Sequence, residues 1–357
     1  MTAKRLLILP RYTANGPSSR VRMVQYLPCL RNAGFECDVR PFFDDDYIHA
    51  LFKGKPRNLQ SVLDAYFQRI SIAIKSNRYD LIWLQYELLP WLPHWLESFF
   101  LRGKPKLMID YDDAIFHRYD EHPSAWIRAI FGKKIDHVMR SADVVVAGNE
   151  YLAARAEQAG AKWVEIIPSV VDIKRYQLKE QRGRKDKIVR VGWIGSPTTV
   201  RYLVLIKKII ETILNDKSKF IIIGAKIPTT FEGYMVESWA WSLETEVDLI
   251  TSLDIGVMPL ADTPFELGKC GYKLIQYMAC GLPVVASPVG INKKIVRHGE
   301  NGFLAGNDRE WIEAITMLEE NPLLRKEMGL KGRELVEEKY ALQVTAPKIV
   351  NIINQIN

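Results

Sequence analysis

The sequence predicts an α/β protein built from two doubly wound, parallel-sheet domains. Three observations carry that prediction. Short apolar runs ending in polar residues alternate with stretches of helical periodicity, the pattern of consecutive βαβ units. The pattern stops at KRYQLKEQRGRKDK (174–187), a charged stretch without an apolar face, and restarts beyond it. The chain has 357 residues, more than one ordinary core needs and a suitable length for two.

In chain order, RLLILP (5–10) reads as the first strand. RVRMVQYLPCLRNAG (20–34) reads as a helix, with Val21, Val24, Leu27 and Leu30 near one face and Gly34 as its stop. FECDVRPF, DLIWLQY (80–86), KLMIDYDD (106–113), DVVVAGN (143–149) and VEIIPS (164–169) are the further strands of this half. Beyond 187 come four buried-strand candidates: IVRVGWIGS (188–196), KFIIIGA (219–225), LDIGVMPL (253–260) and LPVVASP (282–288). From Trp311 onward the sequence reads as nearly all helix. The expected organisation is a first domain at 1–173, a linker at 174–187, a second domain at 188–338 and a final helix at 339–357 returning to the first domain. Parallel sheets bind ligands at the carboxyl ends of their strands, so a ligand cleft is expected between the domains.

Composition narrows the classes. Apolar residues make up 48% and charged residues 25%, as in a globular protein. Apolar runs such as FIIIG are too short to cross a bilayer. No charged start followed by an apolar run opens the chain, so no leader and a cytoplasmic location are expected. Cys29, Cys37, Cys270 and Cys280 show neither paired nor metal-ligand spacing and read as free thiols. The net charge of +7 favours anionic partners. Nucleic acid is not expected among them, because no aromatic–basic recognition motif appears.

The stretch GKCGYKLIQYMACGLPVVASPVG (268–290) is the most informative. Gly268 and Gly271 let the backbone approach a ligand closely. Lys269 and Lys273 supply positive charge, and a helix over 272–279 would aim its N-terminus at a diphosphate. After the strand at 188–194, Gly195, Ser196, Thr198 and Thr199 offer hydroxyls and N–H groups to phosphate, or else simply cap the next helix. After the first strand, GPSSR (16–20) presents Arg20, with Arg22 beyond it, as anion contacts or as solvated side chains at a helix start. Asp110 and Asp112 have the Asp-x-Asp spacing of a metal site. Against that, Asp112 or Asp113 bonds an acceptor hydroxyl or braces a loop. Two stretches, 89–106 and 126–140, combine aromatic residues with basic flanks. Trp91, Trp95 and Phe99 recur every four residues, on a helix facing either an anionic membrane or the core.

VGWIGSP, LDIGVMPL, KLIQYMACGLPVVASPVG and GENGFLAG in the second half, with GPSSRVRMVQYLP, IDYDDAIFHRY, SADVVVAGNEYLAARA and IIPSVVD in the first, resemble the motifs of the retaining glycosyltransferases of family four, which have the GT-B fold. The resemblance implies transfer of a sugar from a nucleotide-sugar donor with retained anomeric configuration and without an essential metal. A glycan or lipid-linked acceptor, as in cell-surface polysaccharide or glycolipid synthesis, is the expectation that goes with it; if 89–106 and 126–140 face a membrane, the cytoplasmic enzyme is peripheral on its inner face. The resemblance places Gly195, Ser196, Thr198, Thr199, Gly268, Cys270, Gly271, Tyr272, Gln276 and Arg20 around the donor. Lys273, Lys269, Glu266, Asp112 and His117 are its catalytic candidates. Two departures from the family stand out. The family's second glutamate is Gln276 here, and the position of its first is Gly268, with Glu266 the nearest acid. Where the family often has Arg and Lys after the first strand of the second domain, this chain has 195–199 and then Arg201. A non-catalytic nucleotide-sugar binder and an epimerase or hydrolase on the same fold are the alternatives. The latter needs an acid–base set that the His-poor motifs do not display.

Overall fold

The computed structural model describes residues 4–101, 103, 105–178, 188–214, 217–231 and 233–356. It divides into two compact units. Unit 1 comprises Met1–Ser169, Leu267–Cys270 and Thr345–Asn357, and unit 2 comprises Val170–Glu266 and Gly271–Val344.

Unit 1 holds β1 (Arg5–Leu9), β2 (Glu36–Val39), β3 (Leu81–Gln85), β4 (Lys106–Tyr111), β5 (Val144–Ala147) and β6 (Val164–Ile166). All pair in parallel, in the order β2-β1-β3-β4-β5-β6. β3 and β5 are buried along their whole length, as strands covered by helices on both faces must be. Unit 2 holds β7 (Val189–Ile194), β8 (Ser218–Ile223), β9 (Val236–Trp239), β10 (Ile255–Met258), β11 (Val284–Ala286) and β12 (Gly302–Leu304). These are also parallel, in the order β12-β11-β10-β7-β8-β9.

Strand order decides where each sheet opens. In unit 1 the chain moves from β1 outward to β2, then back to β3 on the other side of β1. In unit 2 it moves from β7 to β8 and β9, then back to β10. The connections leaving β1 and β3, and those leaving β7 and β10, therefore part in opposite directions and leave a crevice at the carboxyl ends of these strands.

Several sequence expectations need correction. The helix expected over 20–34 is three pieces: Pro17–Arg22, a 3-10 turn Val24–Tyr26, and Leu27–Asn32. Met23 leaves helical geometry, and Pro28 starts a fresh helix where its missing N–H is tolerated. β9 and β12 went unread because both are short strands at sheet edges, and β9 (VESW) sets two polar residues between two apolar ones. The helical tail is Asp308–Glu320, Pro322–Lys339 and Leu342–Gln355. Part of its last helix belongs to unit 1, where Tyr26 Oη lies 3.1 Å from Thr345 Oγ1. Of the expected linker 174–187, residues 179–187 lie outside the described residues. Its first residues are anchored in unit 2: Tyr176 is buried, and Arg333 donates to its carbonyl. Trp91 precedes the helix His94–Leu101 rather than lying on it, so the stripe of three is a stripe of two.

Candidate functional site

Unit 1 gathers polar side chains where β1, β3 and β4 end. Gly16 caps the helix Pro17–Arg22, whose Ser18 and Ser19 turn toward Gln85, the last residue of β3. Ser19 Oγ donates to Gln85 Oε1 (2.7 Å), and Gln85 Nε2 donates to Ser18 Oγ (2.7 Å). Ser18 in turn donates to the Asp112 carboxylate (2.6 Å to Oδ2), which also accepts from Tyr86 Oη. Tyr86 has φ +65°, a left-handed conformation that a non-glycine residue adopts only when its surroundings impose it. Its N–H donates to the carbonyl of Asp110, and its carbonyl accepts from Tyr111 Oη. Burial, and then the neighbouring Asp113, push the Asp112 carboxyl up to about 6.

Beneath this edge lies an ion pair. Arg22 Nε and Nη2 donate to the two oxygens of Asp110 (2.8 and 3.0 Å), and Nη1 donates to the carbonyl of Ile167 (2.7 Å). Both side chains are fully buried. This corrects one reading: Arg22 is committed to the core and is no solvent-facing anion contact. Asp110 is its ion-pair partner. Arg20 is also largely buried and donates to the carbonyl of Ala14.

The segment Leu267–Cys270 is clasped within unit 1. Asn149, which caps the helix Glu150–Ala159, donates to the carbonyls of Leu267 (3.3 Å) and Lys269 (3.0 Å). Lys269 Nζ pairs with Asp113 (2.8 Å), and Cys270 Sγ donates to the carbonyl of Asp112 (3.2 Å). Burial pushes the Cys270 thiol well up, which keeps it a protonated donor. Gly268, expected to approach a ligand, approaches Ala114 instead: a Cβ there would lie 2.5 Å from the Ala114 Cβ and 2.6 Å from its N. Cys270, expected beside the donor, is buried in protein. His117 has both ring nitrogens engaged, Nδ1 with Asp120 (2.8 Å) and Nε2 with Tyr151 Oη (2.7 Å). His117, Asp120 and Glu121 cluster closely enough for a cation, but Arg155 occupies Asp120 at 3.0 Å.

Unit 2 presents its own edge after β7. Gly195 sits against the Trp193 ring, where a Cβ would lie 2.4 Å from ring carbons. Trp193 also carries the Lys273 ammonium, 5.5 Å from the ring centroid. Trp193 thus brings together two segments that the sequence separates by some seventy residues, although the sequence reading gave it no role. Ser196 Oγ and Thr198 Oγ1 lie 2.8 Å apart, and Thr199 Oγ1 donates to the Ser196 carbonyl (3.1 Å). The next element is a 3-10 stretch, Val200–Ile206, rather than the expected α-helix, which starts at Lys207. Gly271, at φ +64°, caps the helix Tyr272–Ala279, and a Cβ there would strike Ile295 at 2.3 Å. Beside it lies Asn292, whose buried Oδ1 has no hydrogen-bond partner. Glu266 is buried, accepting from Tyr202 Oη (2.5 Å) and from Thr263 Oγ1.

The same geometry explains glutamine at 276. Tyr176 Oη donates its single proton to Glu246 (2.6 Å) and accepts from Gln276 Nε2 (3.0 Å). Burial keeps that phenol protonated. A carboxylate at 276 has no proton to give, and it would set a second negative charge near Glu246.

Two outcomes follow. Gln276→Glu should lower stability by about 1–3 kcal/mol at neutral pH, and the loss should shrink on acidification as the new carboxyl protonates; denaturant melts at two pH values check this. Asp112 has a folded-state pKa near 6, above its ordinary 3.8. Its stabilising contribution is therefore complete below 3.8 and is lost as the pH rises through about 6. In melting curves across that window the wild type should fall relative to Asp112→Asn, and parallel curves would contradict the assignment.

Comparison with known proteins bears on the fold and on part of unit 2. Residues 185–321, most of unit 2, match the family described as "Glycosyl transferases group 1". A phosphatidyl-myo-inositol mannosyltransferase of Mycobacterium leprae is 33% identical over 88 residues, 24% of this chain and 23% of that relative. The chain thus aligns with about a fifth of the length of the curated relatives it matches. The solved sucrose-phosphate synthase of Thermosynechococcus elongatus superposes with TM-score 0.75 at 16% identity, covering 99% of this chain and 98% of the other. Anabaena HepE in complex with UDP-glucose gives 0.70 at 17%, covering 98% and 99%. Residues 185–321 therefore match the glycosyl transferases group 1 family, and the whole chain has the GT-B fold.

Proposed function

We propose that this chain is a retaining, metal-independent glycosyltransferase of hexosyltransferase type. It takes a sugar from a nucleotide-sugar donor and passes it to a glycan or lipid-linked acceptor, in the synthesis of a cell-surface polysaccharide or glycolipid on the cytoplasmic side of the membrane. One observation carries the reading. The segment that matches the family contains the edge where Trp193 assembles the 195–199 loop and Lys273 at the start of the helix Tyr272–Ala279. Loop hydroxyls, a helix N-terminus and a lysine form a suitable set for a diphosphate. UDP is the first nucleotide to test, because HepE was solved with UDP-glucose.

In the proposed reaction the bond between the anomeric carbon and the diphosphate oxygen breaks. A bond to the acceptor hydroxyl oxygen forms on the same face, and the acceptor proton passes to the departing diphosphate. Lys273 and the helix N-terminus offset the charge that grows on the leaving group. The Ser18–Tyr86–Asp112 cluster is the proposed place for the acceptor hydroxyl, with Asp112 accepting its hydrogen bond.

Thermal-shift titration with UDP, GDP, ADP and dTDP tests this. One nucleotide should stabilise the protein by about 2.7 kcal/mol at a hundredfold excess over its dissociation constant. Lys273→Ala should lose most of that gain. Folded protein that responds to none of the four would contradict donor binding.

A further inference from the structure

We propose that the outward side of three unit 1 helices, Leu59–Ile74, His94–Leu101 and Ala125–Phe131, is a docking surface for an anionic lipid bilayer. The three helices press their inner residues on one core cluster: Ala73, Tyr66 and Ile70 from the first, Leu96 and Phe100 from the second, Phe131 from the third. The first two also pack on each other, and all three leave their other sides exposed.

The outward sides are apolar. Leu63 and Phe67 on the first helix, Trp95 and Phe99 on the second, and Trp126 and Ile130 on the third are all exposed, Phe67 and Phe99 at 70% and Trp126 at 80%. The third helix, AWIRAIF, has six apolar residues in seven and buries none of them. A helix serving only the core would turn such residues inward, since leaving them in water forfeits about 1.5–3 kcal/mol apiece. The first helix carries no membrane signal in the sequence reading, and for the other two the structure decides against a purely core-facing role.

Charge identifies the occupant. Exposed Lys53 and Lys55 precede the first helix, Lys75 follows it, and Lys133 follows the third. Acids are few on these helices. The first has one, the exposed Asp64, which lines a cleft of about 650 Å³ with Ser61 and Gln68. The second has Glu97, buried on Lys134 at 2.8 Å, and the third has none. Arg102 and Lys104, which also flank the second helix in sequence, lie outside the described residues. Exposed aromatic side chains on helices flanked in the chain by exposed lysines suit the headgroup boundary of an anionic leaflet. No helix among the described residues is long and apolar enough to cross a membrane, so the contact is peripheral.

Co-sedimentation of the full chain with phosphatidylglycerol–phosphatidylcholine vesicles is the test. Binding should be strong on these vesicles, weak on pure phosphatidylcholine, and reduced by salt. The triple variant Phe67→Ser, Phe99→Ser, Trp126→Ser should bind about a hundredfold more weakly while keeping its melting midpoint and any nucleotide response. Lys53→Glu with Lys133→Glu should weaken binding only to the anionic vesicles. Absence of sedimentation with anionic vesicles overturns the proposal. So does a wild-type dimer that the triple variant abolishes, since the face then belongs to a second copy. No nucleotide or sugar enters the sedimentation, so its failure leaves the transferase reading standing, and failure of that reading leaves this result intact.

Discussion

The Arg22–Asp110 pair is the constraint on which the edge of unit 1 depends. A guanidinium and a carboxylate removed from water cost several kcal/mol each, and only good geometry returns it. Here the geometry is bidentate, with a third bond to the carbonyl of Ile167. One side chain thereby ties the helix after β1 to the end of β4 and to the segment beyond β6. Ser18, four residues before Arg22, is then held where Tyr86 and Asp112 can reach it. Removing either charge would leave the other buried and unpaired, at a cost of about 3–5 kcal/mol.

Unit 2 solves a similar problem with less charge. Trp193 supports both the 195–199 loop and Lys273, so the loop and the cation share one rigid base. Tyr277, on the same helix as Lys273, accepts from the N–H of Ile194 (2.8 Å), the last residue of β7. The helix can come this close because Gly256 has no side chain: a Cβ there would lie 2.3 Å from the Tyr277 ring. The proposed sugar transfer would draw on positioning and electrostatic stabilisation, and this edge offers loop hydroxyls and a supported cation for them.

The architecture was legible in the sequence because buried parallel strands read as continuous apolar runs. RLLIL, LIWLQ and FIII needed no alternation to be seen. The edge strands β9 and β12 carry no such run. The site was legible as segments but not as partners. Sequence separation hides the meeting of Trp193 with Lys273, and of Asn149 with Leu267 and Lys269. Glycine was ambiguous for the same reason. Gly268 and Gly271 look alike in sequence, yet one makes room for Ala114 and the other starts a helix in the left-handed region. Gln276 read as a departure from a family pattern, and only the proton count at Tyr176 supplies its reason. The exposed face of the helix Leu59–Ile74 was hidden because periodicity reports an apolar side without saying whether protein covers it.

Hydrogen–deuterium exchange with and without saturating UDP or UDP-glucose tests the central claim most directly, because it reports where a donor binds. The account predicts slower exchange in peptides covering 194–200 and 271–276, with the far ends of the unit 2 strands unaffected. Unchanged exchange in both segments, or protection confined to other parts of the chain, would contradict it.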